Sequence, residues 1–193
     1  MKLIRFLLMP VIALSCETAH ANNEFTRCFD NFQHFRAPQK IDTDTLQVVC
    51  DFLTLYGYSY NHHSDYRERP RNALTAASMR TYQARMNFQK LSQHWVGKAL
   101  DFSLDDCAGY NERVKGTLFL MQLGDIESYL YLIGRDQEMG VGCYPQWRRA
   151  LNGKDICGGF HVDTRIKKGR WCQIDGKFVG YDYGKNWVRN RIQ

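Results

Sequence analysis

Two segments of the chain alternate apolar and polar residues with the period of a β-strand. Residues 98–104 (KALDFSL) and residues 159–166 (GFHVDTRI) both carry mostly apolar side chains at even positions. Successive side chains of a strand point to opposite faces of a sheet. Each segment is therefore predicted to be a strand with one face in the core. If the two strands pair, Asp101, His161 and Asp163 share the other face.

Apolar residues at helical spacing indicate two helices. Apolar side chains at positions 46, 49, 52, 53 and 56 predict a helix that begins at Asp42 or Thr43 and ends at Gly57. The segment DIESYLYLIGRDQE, residues 125–138, predicts another helix, with Asp125 as its N-cap.

Three further segments give weaker signals. Residues 75–91 are a helix candidate that could equally be a long loop, and residues 109–124 suit either a helix or a strand. The glycines at positions 140 and 142 indicate a turn.

The C-terminal part of the chain resembles a β-hairpin. Residues 170–184 (RWCQIDGKFVGYDYG) predict two short strands that turn at Asp175 and Gly176, since Asp-Gly is a strong hairpin signal. Taken together, the patterns predict the α+β class, with an antiparallel sheet and flanking helices. The length after the leader suits a single domain over residues 22–193.

The first 21 residues have the pattern of a secretory signal peptide. Lys2 and Arg5 precede an apolar run, and Ala19 and Ala21 form a small-x-small cleavage site. Cys16 could instead mark a lipoprotein site. No later stretch has the about 20 apolar residues needed to cross a bilayer. We therefore expect a periplasmic or secreted protein that does not enter the membrane after cleavage.

Cysteine usage fits this compartment. Six cysteines remain beyond the predicted leader, and an even number in an exported chain is typical of disulfides. Cys28–Cys50 and Cys157–Cys172 are plausible local pairs, which would leave Cys107–Cys143, but the connectivity stays open. The sequence contains no Cys-x-x-Cys pair of the kind that binds zinc through thiolates, so a thiolate zinc site is not predicted.

The net charge of +6 suits an anionic polymer such as the bacterial cell wall. The basic residues are scattered and form no block of the kind that marks a nucleic-acid tail, so a nucleic-acid partner is not predicted. We expect a monomer.

The chemistry centres on two histidines and one aspartate. His94 and Asp101 lie seven positions apart with Gly97 between them, and His161 lies on the second predicted strand. Zinc in hydrolytic sites typically has three ligands of these types and a water molecule, whose pKa it lowers to about 7. Asp163 lies on the same strand face as His161. It could accept the proton of that water, or it could orient a metal ligand.

The segments that carry these residues resemble a known family. SQHWVGKALDF fits the pattern Ser-x-His-x-x-Gly-x-Ala-x-Asp, and GFHVDTR followed by RW fits its partner motif. Together they resemble the zinc D-Ala-D-Ala peptidases, in particular the exported murein endopeptidases. The similarity covers roughly residues 45–171, with GVGCYP matching the family's glycine-rich turn.

The resemblance implies a peptidase that hydrolyses peptidoglycan peptides. It implies that His94, Asp101 and His161 bind zinc. It also implies that Arg67, in the segment SDYRERPRN, contacts the substrate or the developing oxyanion.

The chain also departs from the family pattern. Asp65 stands where the family has glycine, and Gly158 stands where related branches have an acidic residue. The base must then come from elsewhere, and Asp163 is the predicted candidate. These departures keep an alternative open, in which the chain is a non-catalytic, zinc-containing protein that binds the cell wall or a partner.

Overall fold

The computed structural model describes residues 37–64 and 92–193, together with Phe25, residues 27–29 and Phe35. The described residues form six strands and three helices, with short 3-10 helices at Pro38–Lys40 and Gln93–Val96. The strands are β1 Tyr60–Ser64, β2 Ala99–Leu104, β3 Gly140–Tyr144, β4 Gly159–Asp163, β5 Gly169–Ile174 and β6 Lys177–Gly180. The helices are α1 Thr43–Tyr56, α2 Glu112–Leu132 and α3 Tyr181–Ile192.

All six strands belong to one sheet, in the order β1-β2-β4-β3-β5-β6. The predicted α+β class is confirmed, but the prediction of an antiparallel sheet is wrong in one place, because β3 and β5 are parallel. After β4 the chain reverses direction and passes β3 before it pairs again. β5 therefore runs opposite to β4 and in the same direction as β3. Alternation along a strand identifies the strand but does not identify its neighbour.

The two alternating segments form the strands that the pattern predicted, and they pair with each other. Leu100 faces Val162 across the β2–β4 ladder, and Phe102 faces Phe160. All four side chains are buried, and burial of each phenylalanine contributes about 2–3 kcal/mol. β4 ends at Asp163, earlier than the alternation suggested, and Ile166 is 98% exposed.

The three helices cover the apolar face of this sheet. Apolar side chains of α1 and α2 pack together with Phe102 and Val162, and Phe119 of α2 stacks on Phe160 with ring centroids 5.2 Å apart. Gly184 brings α3 against Cys172 of β5, where a Cβ atom would lie 2.4 Å from the sulfur. The opposite face of the sheet is free to carry polar side chains.

Helix α1 begins after Asp42 and ends at Gly57, as predicted. Gly57 has a φ of 69°, a left-handed conformation that glycine adopts without strain. The structure corrects the prediction for the segment that forms helix α2. The two segments on either side of Gly124 form one continuous helix, and its N-cap is Asn111, whose side chain accepts a hydrogen bond from the Val114 N–H at 3.0 Å.

Asp125 lies inside α2 and accepts a hydrogen bond from the Tyr58 hydroxyl, so its predicted capping role is wrong. The predicted turn at Gly140 and Gly142 is also wrong, since both glycines lie in β3. The helix candidate at residues 75–91 lies outside the described residues.

The C-terminal hairpin is confirmed over residues 169–180, with Asp175 and Gly176 at its turn, both at positive φ, but residues 181–184 were wrongly assigned to it and begin a helix. Helix α3 was not predicted, and the chain enters it directly from β6 at Gly180. Its tyrosines, tryptophan and valine favour strands, but the segment forms a helix because it packs against β5.

Three cysteine pairs lie at disulfide distance, namely Cys28–Cys50, Cys107–Cys157 and Cys143–Cys172. The first confirms the local pairing, whereas Cys157–Cys172 and Cys107–Cys143 were wrong. Cys143 and Cys172 oppose each other on β3 and β5, with Cα atoms 4.4 Å apart. The Cys107 N–H donates to the Asp155 carbonyl, which brings the turn after β2 beside Cys157.

These pairs fit an oxidising compartment such as the periplasm or the extracellular space. Among the described residues, no helix combines the length and apolar character needed to cross a bilayer. The predicted signal peptide, residues 1–21, lies outside the described residues and stays a prediction, as do the bounds of the domain.

Candidate metal centre

His94 is brought to the sheet by a tight turn. It lies in the short 3-10 helix Gln93–Val96, which ends at Gly97 with a φ of 73°. A Cβ atom at Gly97 would lie 1.9 Å from the Lys40 carbonyl oxygen, so only glycine fits there. The turn sends the chain back into β2, and the His94 ring thereby meets Asp101. The predicted role of Gly97 is confirmed.

Asp101 lies between two imidazole rings. His94 Nε2 is 3.2 Å from one carboxylate oxygen of Asp101, and His161 Nδ1 is 2.8 Å from the other. The two rings are edge-on to each other, with centroids 5.1 Å apart. The Tyr144 hydroxyl also donates a hydrogen bond to Asp101, at 3.1 Å. Asp101 is therefore fixed from three sides.

His94, Asp101 and His161 form a buried group that could hold a metal ion. Each residue offers one ligand atom, and these atoms all lie within 4.8 Å of one another. Asp101 is 0% exposed, His94 4% and His161 5%. Donor atoms bound to one tetrahedral zinc ion lie about 3.4 Å apart, given bond lengths of about 2.1 Å. The residue types are those of a zinc site, and the donor atoms, within 4.8 Å of one another, are close enough together for the group to hold a metal ion.

Asp163 lies two residues after His161 on β4, on the same face of the sheet. Its Oδ2 atom accepts a hydrogen bond from His161 Nε2 at 2.7 Å. Arg165 binds the same carboxylate with two nitrogens, and its Nε atom is 2.5 Å from Oδ1. The carboxylate lies over Gly140, where a Cβ atom would be 2.3 Å from Oδ2. The glycine that was assigned to a turn is instead what makes room for Asp163.

The charges of the group favour a cation. Burial alone would raise the pKa of Asp101, but hydrogen bonds with His161 and His94 hold that pKa below its ordinary range. The pKa of Asp163 is also lowered, because the hydrogen bonds from Arg165 and His161 outweigh its burial. Burial would lower the pKa of His161, yet its bonds to the two carboxylates raise it to about 9. The position between the carboxylates thus favours positive charge.

Aromatic side chains surround the group on the same face of the sheet. Trp171 lies over Gly142 and packs against His161, with ring centroids 5.2 Å apart. Trp147 lies over Gly159 and stacks flat on Tyr144, with ring centroids 3.9 Å apart. Both indoles are partly exposed. They border the candidate metal centre on the side of β3 and β5.

His63 extends this border on the side of β1. Its ring packs on Trp147 with centroids 4.7 Å apart, and its Nε2 atom is 3.0 Å from the Ser103 hydroxyl. Burial lowers the pKa of His63 to about 4, against a smaller opposing effect of the Asp101 charge. The ring is therefore neutral near neutral pH.

The structure brings together all three predicted ligands and Asp163. Arg67 lies outside the described residues, so its predicted role stays a prediction. Sequence reasoning missed the bonds of Tyr144 and Arg165. The alternate glycines of GVGCY, which make room for side chains from neighbouring strands, are the signal that could have indicated a crowded polar face.

No protein family model, curated protein or solved structure matches this chain. The resemblance to the zinc D-Ala-D-Ala peptidases therefore rests on the sequence motifs alone.

Proposed function

We propose that His94, Asp101 and His161 bind one zinc ion, and that the chain hydrolyses amide bonds in the stem peptides or cross-links of bacterial peptidoglycan. The observation that carries this proposal is the convergence of two imidazole nitrogens and one carboxylate oxygen within 4.8 Å in a buried group. Two imidazoles and one carboxylate are a ligand set of catalytic zinc, which keeps a fourth position for water or substrate.

A bound zinc ion would lower the pKa of its water to about 7 and would polarise the scissile carbonyl. The residues of the chain hold the ligands in place. The Tyr144 hydroxyl fixes the Asp101 carboxylate. Asp163 accepts a hydrogen bond from His161 Nε2, which leaves Nδ1 to face the metal position. Such carboxylate–histidine contacts orient a metal ligand and raise its basicity.

Of the two roles that the sequence left open for Asp163, these contacts favour the orientation of His161. Both oxygens of Asp163 are bonded, one to Arg165 alone and the other to Arg165 and His161, and the side chain is 0% exposed. A general base must reach the water from which it takes the proton. Asp163 could act as that base only if it released one of these bonds. Arg67 is the proposed substrate contact.

The proposed substrate suits the other properties of the chain. A net charge of +6 favours association with an anionic polymer. The partly exposed rings of Trp147 and Trp171 beside the site offer apolar surface to a peptide. Export to the periplasm or the exterior would place the protein with its substrate.

The test is digestion of purified muropeptides by the zinc-loaded protein, followed by mass spectrometry. Loss of a terminal D-alanine indicates a carboxypeptidase, and conversion of cross-linked dimers to monomers indicates an endopeptidase. The His161→Ala variant should release neither product. If the zinc-loaded protein leaves both substrates intact, it is not a peptidase of this class.

A second candidate function is a zinc-containing protein that binds the cell wall or a partner without catalysis. The full engagement of Asp163 favours it, as does Gly158, which stands where related branches have an acidic residue. A Cβ atom at Gly158 would lie 2.2 Å from the Phe119 ring, so an acidic side chain has no room there. Sedimentation with intact peptidoglycan, without release of fragments, would support this alternative.

A further inference from the structure

The loop that carries His94 is joined to the start of helix α1. The Asp42 N–H donates to the Gly97 carbonyl at 2.9 Å, and Gly97 packs directly against the backbone of Lys40. Gly97 ends the 3-10 helix that holds His94. The position of His94 therefore depends on the backbone just before α1.

The same Asp42 is joined through its side chain to the end of the strand that carries His161. Its Oδ2 atom accepts a hydrogen bond from the Thr164 hydroxyl at 3.1 Å and another from the Thr45 hydroxyl at 3.3 Å. The two hydroxyl oxygens are 2.8 Å apart. Thr164 follows Asp163 directly, and both threonines are buried. The two hydroxyl hydrogens are shared among these three contacts, and the Asp42 carboxylate can only accept.

The Asp42 carboxylate makes no hydrogen bond to the backbone of its own helix. Asp42 occupies the N-cap position of α1, where an aspartate ordinarily accepts a hydrogen bond from a backbone N–H of the first turn. No such bond is formed here. The side chain turns instead toward Thr164, so its hydrogen bonds serve the junction between α1 and β4.

We infer that Asp42 is a positioning residue for the metal centre, which holds the His94 loop at a fixed distance from the His161 strand. This inference rests on the proposed zinc site and adds a residue that touches neither the metal nor a ligand side chain. The two ligand-bearing segments are far apart in sequence. Asp42 bonds to one through its backbone and to the other through its carboxylate.

The experiment measures zinc affinity of the full chain by competition with a chromophoric chelator. The Asp42→Ala and Thr164→Val variants should bind zinc more weakly than the wild type, by up to about tenfold, the lower end of the loss that follows removal of a direct partner of a metal ligand. Asp44→Ala is the matched control. Asp44 lies in the same helical turn, is exposed and pairs with Arg135 at 2.6 Å, so its loss should leave zinc affinity unchanged.

Thermal unfolding of the metal-free variants separates positioning from a purely structural role. Asp42→Asn retains an acceptor oxygen and should recover most of the zinc affinity. If Asp42→Ala and Thr164→Val unfold at lower temperature but bind zinc as tightly as the wild type, the inference is wrong. If Asp42→Ala does not fold, Thr164→Val decides alone. A wild-type chain that binds no zinc would instead overturn the proposed metal site.

Discussion

Asp101 and His161 lie directly opposite each other on β2 and β4, and their carboxylate oxygen and Nδ1 atoms are 2.8 Å apart. The register of the sheet fixes this relationship. A shift of one residue between the two strands would send one of the side chains into the apolar core. The buried residues on the other face, among them Phe102 and Phe160, therefore also hold the candidate metal centre together.

Removal of the Asp163 carboxylate should weaken zinc binding. In Asp163→Ala the His161 ring loses the acceptor that orients it, and we expect a 10–100-fold loss of zinc affinity. Asp182→Ala on α3 serves as the control. At saturating zinc, retained turnover of muropeptides would support the orienting role. Loss of turnover with the metal bound would show that Asp163 acts as the base.

A methyl group at Gly140 should disturb the same contact. The added Cβ atom would lie 2.3 Å from Asp163 Oδ2, and Arg165 and His161 prevent the carboxylate from moving away. We expect Gly140→Ala to lower zinc affinity about tenfold. Gly124→Ala is a suitable control, because a Cβ atom there meets nothing within 4 Å. It should leave zinc affinity unchanged and stabilise α2 by about 0.5–1 kcal/mol.

The disulfide connectivity can be tested without any metal. Proteolysis under non-reducing conditions, followed by mass spectrometry, should yield linked peptides for Cys28–Cys50, Cys107–Cys157 and Cys143–Cys172. Joint replacement of Cys107 and Cys157 by alanine should cost about 2–5 kcal/mol of stability. A peptide that links Cys157 to Cys172 would contradict the strand order, because β4 and β5 are separated by β3.

His63 should make the stability of the metal-free protein depend on pH. Its pKa is about 4 in the folded chain and about 6.5 when unfolded. The unfolded chain therefore binds more protons between these values, and stability falls as the pH drops through this range. Above about pH 6.5 the contribution of His63 is fully present.

The measurement is urea unfolding of the wild type and of His63→Gln at about pH 7.5 and about pH 5. The wild type should lose more stability than the variant on acidification, because only the wild type gains a proton at His63 on unfolding. An equal loss in both proteins would show that the His63 pKa is not lowered.

The strands of the metal centre were readable from sequence because one face of each is apolar. Phe102 and Phe160 indicate which face of each strand is buried, and Asp101 and His161 therefore lie together on the other face. Gly97 was readable for a similar reason, since a tight turn needs a residue that tolerates positive φ.

Other features depend on contacts that no local pattern encodes. After β4 the chain passes β3 and adds β5 on its far side. This path gives the parallel pairing of β3 with β5 and the Cys143–Cys172 pair. Helix α3 forms from residues that favour strands, because its packing outweighs their preference. The bonds of Arg165 to Asp163 depend on a turn after β4 that the alternation did not predict.

The most direct test of the account is the zinc content of the purified chain after metal removal and reconstitution. The wild type and the control His62→Gln should each bind one equivalent of zinc, whereas His94→Ala and His161→Ala should lose it or bind it far more weakly. If the wild type binds no zinc, or if His161→Ala binds zinc as tightly as the wild type, the group around Asp101 is not a metal centre.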